Sequence, residues 1–269
     1  MIKYLFSDLD GTLLNPEGVV SATNVAAITA SDLPMTLVSA RAPIEMLAPI
    51  QALHLNGPQI AFNGGLVFTY ENEQITPLQM HPLEQNRARM LLEFIQTSFP
   101  KVSLSCYTQD HWYTEHVDRG VLAEQQLTGQ QPTIANYETL LADETNRCFK
   151  IMIMTLDTVM IQKLAADLKA LNYADISVKL SGQTYLEITS DLAQKSSGIA
   201  FIKDYYHLQT AETAAFGDGE NDLPMFKSVG TAIVMANATP DIQQVGHWVT
   251  KSNADDGVAY AIQNYVTEG

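Results

Sequence analysis

Asp8 and Asp10 stand one residue apart, where the apolar run 2–7 gives way to Gly11 and Thr12. Alternate residues of a strand share a face, and leaving the strand at Gly11 lets both carboxylates converge on one small volume. An ionised carboxylate there can attack phosphorus and ligate a metal. A protonated one can donate to a leaving oxygen and later take a proton from water. Two further carboxylates, Asp218 and Asp222, come with the amide of Asn221 in the run Gly217-Asp218-Gly219-Glu220-Asn221-Asp222. Ser39 ends a second apolar run and offers a hydroxyl to a phosphoryl oxygen. Lys195 offers a compact positive charge to offset the crowded acids and a phosphoryl transition state. Mg²⁺ takes octahedral oxygen coordination with few protein ligands, the rest being water and phosphate. The pattern therefore predicts phosphoryl transfer assisted by a divalent cation.

Each piece alone has an ordinary role. Asp-x-Asp-Gly can be a turn, the 217–222 run can cap a helix, strand-end serines are common, and a lone lysine is usually solvated. Together, in this order and at strand ends, they point to one site. Competing motifs fail. A calcium loop needs Gly at its sixth position, where Leu13 and Leu223 stand when counting from Asp8 and Asp218. No Gly-x-x-x-x-Gly-Lys-[Ser/Thr] and no Gly-x-Ser-x-Gly occurs. His111 and His116 lack partners at a zinc spacing. Cys106 and Cys148 read as small buried residues, and Trp112 and Trp248 as core or half-buried packing.

The elements that must position these groups follow from periodicity. Residues 2–7, 35–39 and 58–62 read as strands, with helices over about 22–30, capped by Ser21, and about 43–53, opened by Pro43. Strands separated by helices and ending in polar or Gly residues describe a doubly wound, Rossmann-like parallel α/β sheet, with the ligand at the carboxyl ends of its strands. A hairpin is expected around Glu71-Asn72-Glu73. From there the rhythm becomes β-β-α: helix 83–98, strands 102–108 and 112–116, helix 118–128, strand 147–155, helix 157–171, and strands 175–180 and 184–189. Val159, Leu164, Leu168 and Leu171 are expected on the buried face of helix 157–171. The first rhythm returns at Lys195. The expected organisation is a core of 1–82 and 188–269 with an inserted α/β domain over 83–187.

Thirty acids against 15 bases give a formal charge of −15. That excludes a nucleic-acid backbone as partner and disfavours an acidic membrane surface. No apolar run of spanning length and no signal-peptide core is found, and two cysteines make no disulfide framework, so a cytoplasmic location is expected.

These residues closely resemble the haloacid dehalogenase superfamily of phosphatases, in its Cof-type branch. Asp8-Leu-Asp-Gly-Thr-Leu-Leu looks like its first motif, Leu37-Val-Ser39-Ala40-Arg41 like its second, Lys195 like its third, and Gly217–Asp222 like its fourth. The likeness extends to Asn63-Gly64-Gly65, to Val234-Met-Ala-Asn237-Ala238 and to Asp255-Asp256-Gly257-Val258. It implies a core carrying a large inserted cap that reads the substrate. It also implies Asp8 as nucleophile and Asp10 as general acid/base, with Asp8, Asp10 (through its backbone carbonyl), Asp218 and Asp222 serving Mg²⁺. Ser39, Ala40, Arg41, Lys195 and Asn221 would hold the substrate. The implied activity is hydrolysis of small phosphorylated metabolites through an aspartyl-phosphate, with no obligate protein partner. A phosphomutase or a non-catalytic sugar-phosphate sensor is the alternative. Ala40 stands where the family usually has Gly, and Gln243-Gln244 where it often has Lys. Arg119, Tyr113 and Lys179 are candidate substrate readers in the insertion.

Overall fold

The computed structural model describes residues 1–266. In chain order its strands are β1 (Tyr4–Ser7), β2 (Met35–Leu37), β3 (Gln59–Ala61), β4 (Leu66–Glu71), β5 (Gln74–Met80), β6 (Ser103–Tyr107) and β7 (Trp112–Thr114). There follow β8 (Thr133–Ile134), β9 (Lys150–Met154), β10 (Ile176–Ser181), β11 (Tyr185–Ser190), β12 (Thr213–Gly217), β13 (Thr231–Val234) and β14 (Trp248–Val249). The chain forms two compact units. The first comprises Met1–Arg41, Met46–Gln79 and the chain from Gln194; the second comprises Ala42–Glu45 and Met80–Ala193.

The first unit is built on a five-stranded sheet of order β14-β13-β12-β1-β2, parallel throughout. β1 and β12 are buried along their whole length, which is why their sequences are near-continuous apolar runs rather than alternations. Phe6, Val38, Ile60, Ile199, Ile202, Ala215 and Val234 share its core. Because the strands run parallel, the ends of β1, β2 and β12 lie on one edge of the sheet. Asp8, Ser39 and Asp218 follow these strands or lie just beyond them.

β3 departs from the expected parallel sheet. It pairs antiparallel with β4 in a separate sheet of order β3-β4-β5, and a single bridge, Val38 to Ile60, ties it beside β2. The expected helix from Pro43 is a short 3₁₀ turn, Pro43–Glu45, followed by a helix over Leu47–Ala52. Pro49 has no N–H for the Glu45 carbonyl, so one continuous helix cannot form.

The second unit carries a six-stranded sheet of order β10-β11-β9-β6-β7-β8. Helices Gln85–Ser98 and Thr158–Ala170 contribute Leu91, Ile95, Leu164 and Leu168 to a core with Leu104, Cys106, Ile151, Ile153 and Ile188. The buried stripe of the second helix is Ile161, Leu164, Ala165 and Leu168. Val159 is exposed because its position lies on the face opposite that stripe, and Leu171, the residue that caps the helix end, stands at the surface. Cys106 and Cys148 are buried with Sγ atoms 3.3 Å apart. Trp112 is core, while Trp248 is half exposed and stacks on Tyr265. Among the described residues no helix is long and apolar enough to cross a membrane.

Candidate active site

The segment after β1 makes a wide five-residue turn, Leu9–Leu13, closed by the Leu14 N–H donating to the Leu9 carbonyl at 2.9 Å. The Asp8 N–H donates to the Phe216 carbonyl at 3.0 Å, which locks the end of β1 to the end of β12. Gly11 sits at φ +73°, and a Cβ there would lie 2.3 Å from Asp218 Oδ2. Only glycine satisfies both the backbone and the approach. Thr12 Oγ1 then donates to Asp218 Oδ1 at 2.9 Å. In this way two segments more than 200 residues apart meet carboxylate to backbone.

Lys195 opens the helix Lys195–Tyr205 and is buried. Its Nζ donates to Asp8 Oδ1 at 2.6 Å and to Asp222 Oδ1 at 2.7 Å. The other Asp222 oxygen accepts the backbone N–H groups of Asp218 and Gly219, each at 2.9 Å. Asp222 is thus the clamp that holds both Lys195 and the 218–219 backbone. Carboxylate oxygens of Asp8, Asp218 and Asp222 lie within 4.8 Å of one another.

Three carboxylates around one ammonium leave excess negative charge. Burial, then the charge of Asp222, push the Asp8 carboxyl up to about 8 against the pull of Lys195. Burial raises Asp218 too, opposed by the Thr12 hydrogen bond. Burial works against the Lys195 ammonium, but Asp8 and Asp222 outweigh it and hold Lys195 above its ordinary value. A buried cluster with three carboxylates to one ammonium and oxygen donors only fits a hard divalent cation. Asp8 and Asp218 retain lone pairs for it.

Ser39 is buried; its Oγ accepts the Arg41 N–H at 3.1 Å, so its own hydrogen remains to donate. Asp10 stands outside the close carboxylate group of Asp8, Asp218 and Asp222. Its carboxylate takes a two-pronged hydrogen bond from Arg41, Nε to Oδ2 at 2.9 Å and Nη2 to Oδ1 at 2.7 Å, and is more than half exposed. The wide turn breaks the strand alternation on which convergence relied. Ala40 lies between Ser39 and Arg41 in this loop, and Asn221 is exposed on the turn Glu220–Asp222, its Oδ1 against Gly219. Two residues without an expected role enter the site. Thr12 holds Asp218, and Asn237 Nδ2 donates to the Gly11 carbonyl at 2.8 Å and to Asp218 Oδ2 at 3.3 Å. Both lie within runs that carried the family likeness, which was the available signal. His111 pairs with Asp110 on the surface of the second unit.

A family model described as haloacid dehalogenase-like hydrolase matches residues 5–262. The chain is 30% identical to a Haemophilus influenzae protein over the full length of both. It is 26% identical to a Bacillus subtilis protein named 5-amino-6-(5-phospho-D-ribitylamino)uracil phosphatase, over 99% of each chain. A solved haloacid dehalogenase-like hydrolase from Bacteroides thetaiotaomicron superposes with a TM-score of 0.88 at 25% identity, covering 98% of this chain and 99% of that one. The strand-end acid cluster and these full-length likenesses agree, and the chain belongs to the haloacid dehalogenase-like hydrolases, as a phosphatase of the Cof-type branch.

Proposed function

We propose that the chain is a Mg²⁺-dependent phosphomonoesterase of small phosphorylated metabolites, working through a phosphoryl group carried on Asp8. The observation that carries this reading is the buried constellation in which Lys195 bridges Asp8 and Asp222 beside Asp218. Bound between Asp8, Asp218 and the phosphate, the cation would neutralise phosphoryl charge and favour the ionised form of Asp8.

In the first step an Asp8 oxygen forms a bond to phosphorus as the ester P–O bond breaks, and the departing alkoxide takes a proton from Asp10. In the second, Asp10 takes a proton from water, the water oxygen bonds to phosphorus, and the Asp8–phosphorus bond breaks to release inorganic phosphate. Arg41 holds the Asp10 carboxylate here, so Asp10 serves as the acid once that pair opens and it takes a proton from solvent. Lys195 and Ser39 supply donors to the phosphoryl oxygens. The relative named for a ribityl phosphate substrate supports a sugar- or polyol-phosphate class.

The test is hydrolysis of p-nitrophenyl phosphate with Mg²⁺ and with EDTA, alongside Asp8→Asn. The reading expects activity only with metal and only in the wild type. Equal rates in EDTA, or a competent Asp8→Asn protein, overturn it. Isomerised sugar phosphate in place of inorganic phosphate would assign a mutase.

A further inference from the structure

The 3₁₀ turn Asn253–Asp255 and the residues on either side of it form a tightly tied segment. The Ser252 carbonyl accepts the N–H groups of Asp255 at 3.1 Å and of Gly257 at 3.0 Å, and Ser252 Oγ donates to Asp255 Oδ2 at 2.6 Å. Ser21 Oγ donates to Asp256 Oδ1 at 2.5 Å, and the Ala259 N–H donates to Asn24 Oδ1 at 2.9 Å. These two bonds fasten the segment to the helix Ala22–Ser31 and its cap. A backbone N–H on such a segment is a donor with a fixed position. Asn253 lies outside every run that carried the family likeness.

Asn253 uses that position twice. Its Nδ2 donates to the Leu14 carbonyl at 2.8 Å, where the Leu9–Leu13 turn closes. Its backbone N–H donates to Asn237 Oδ1 at 3.0 Å. The second bond settles which way the Asn237 amide faces. The amide oxygen is taken by a donor, so the NH₂ end is turned to the Gly11 carbonyl and to Asp218 Oδ2. Asn237 is exposed, and an exposed amide without that bond turns about its broad terminal torsion. Reversed, it would set an oxygen against a carbonyl and a carboxylate. Asp218 in turn has Thr12 on one oxygen and Asn237 on the other. That fixes the plane of its carboxylate and leaves lone pairs for a cation.

We propose that Asn253 is a positioning residue of the cation site, acting through its backbone N–H on Asn237 and through Asn237 on the Asp218 carboxylate. This rests on the cation of the phosphatase reading above and deepens it, placing control of a metal-holding carboxylate in a segment that supplies no ligand itself. Groups that orient metal ligands from behind commonly govern metal affinity by ~10- to 100-fold.

The N–H can be removed without redirecting the chain. Asn253 is the first residue of its turn, where proline is accepted, and Ser252 before it is extended at φ −70° and ψ 164°, as a following proline requires. Asn253→Pro deletes the N–H and the side chain, Asn253→Ala the side chain alone, so the ratio between them reports the N–H. The measurement is Mn²⁺ binding by electron paramagnetic resonance, without substrate, alongside urea midpoints. Asn237→Ala is expected to weaken Mn²⁺ binding by ~10-fold or more. Asn253→Pro is expected to bind Mn²⁺ ~3-fold or more weaker than Asn253→Ala, and that ratio to fall to about 1 when both also carry Asn237→Ala. A purely structural role would lower the urea midpoints and leave Mn²⁺ affinity alone. An Asn237→Ala protein within ~2-fold of wild type overturns the assignment. So does a proline-to-alanine ratio near 1 with Asn237 in place, or one that persists without it, and in those cases the cation reading survives. If Asn253→Pro does not fold, exchange of the Asn253 N–H followed by NMR decides instead. Mg²⁺ is expected to slow that exchange by ~3-fold or more in the wild type and not in Asn237→Ala, because coupling is reciprocal; an unslowed wild type, or equal slowing in Asn237→Ala, overturns the assignment. A wild type that binds no Mn²⁺, or binds it equally after Asp218→Asn, brings down the cation reading itself, and this assignment with it.

Discussion

Replacing Lys195 by methionine keeps much of the side-chain volume and removes the one cation between Asp8 and Asp222. The contacts are 2.6 and 2.7 Å, and the side-chain exposures are 1% for Lys195, 7% for Asp8 and 0% for Asp222. With an effective dielectric constant of about 20 an ionised pair at the 2.7 Å Lys195–Asp222 separation is worth about 6 kcal/mol, while Asp8, pushed up to about 8, is mostly protonated at neutral pH and adds less. Removing a buried ammonium also relieves several kcal/mol of desolvation, and measured losses for a broken buried pair are roughly 3–5 kcal/mol. Lys195→Met is therefore expected to lose about 3–5 kcal/mol in EDTA at neutral pH. The assay is urea unfolding followed by tryptophan fluorescence and by circular dichroism, since two compact units need not melt together. A second variant makes the reasoning sharper. In Asp222→Asn/Lys195→Met the amide oxygen can still accept the Asp218 and Gly219 N–H groups, and a buried negative charge is gone. The double variant is expected to be more stable than Lys195→Met alone, by at least about 1 kcal/mol of coupling. A loss below about 0.5 kcal/mol in the single variant, or a double variant less stable than the single, refutes the charge balance argued for this site.

Gly11→Ala meets both a positive φ and the Asp218 carboxylate, so kcat/KM is expected to fall by roughly 100-fold or more, a displacement cost typical of misplaced catalytic groups; near-wild-type turnover would show that the Leu9–Leu13 turn tolerates a shift. Thr12→Val removes the donor to Asp218 Oδ1 and is expected to lower stability by about 1–2 kcal/mol and to change the Mg²⁺ concentration needed for half-maximal activity; unchanged values in thermal melts and metal titration would remove Thr12 from the site. Asp8 is raised to about 8 in the fold but titrates near about 3.9 when unfolded. The native state then binds the extra proton, so this contribution is full below about pH 4 and lost as pH rises through about 8. In EDTA the wild type should lose stability over that interval while Asp8→Asn shows a flatter profile; parallel profiles in denaturant titrations would contradict it.

The parallel core was legible because burial on both faces leaves no polar alternation. β12 is buried on every residue from Thr213 to Gly217, and Ser21 does cap the first helix, accepting the Asn24 N–H at 3.0 Å. β8 and the short helix Tyr137–Leu140 were not legible. Both residues of β8 are exposed, so no hydrophobic period marks it. Trp248, expected as core or half-buried packing, is half-buried on the edge strand and packs by stacking on one neighbour, Tyr265. In the site, residue types announced the carboxylates and the lysine. Their partners did not follow from type. That Asp10 faces Arg41, that Asn237 braces Gly11, and that Asp222 spends both oxygens on scaffolding depend on loop paths without periodicity.

β1 lies between β2 and β12, pairing Tyr4 with Thr213 and Leu5 with both Ala214 and Met35. The first strand made during synthesis is thus central in the finished sheet and waits for a neighbour encoded about two hundred residues later. Closing so long a loop has an entropic cost that grows only slowly with its length, so a self-contained insertion that folds in the interval adds little to the wait. Until residues near 218 leave the ribosome, Asp8 has neither its lysine nor its companion acids in place. A nascent or truncated chain therefore holds no assembled nucleophile, and chemical competence arrives only with the last third of the polypeptide.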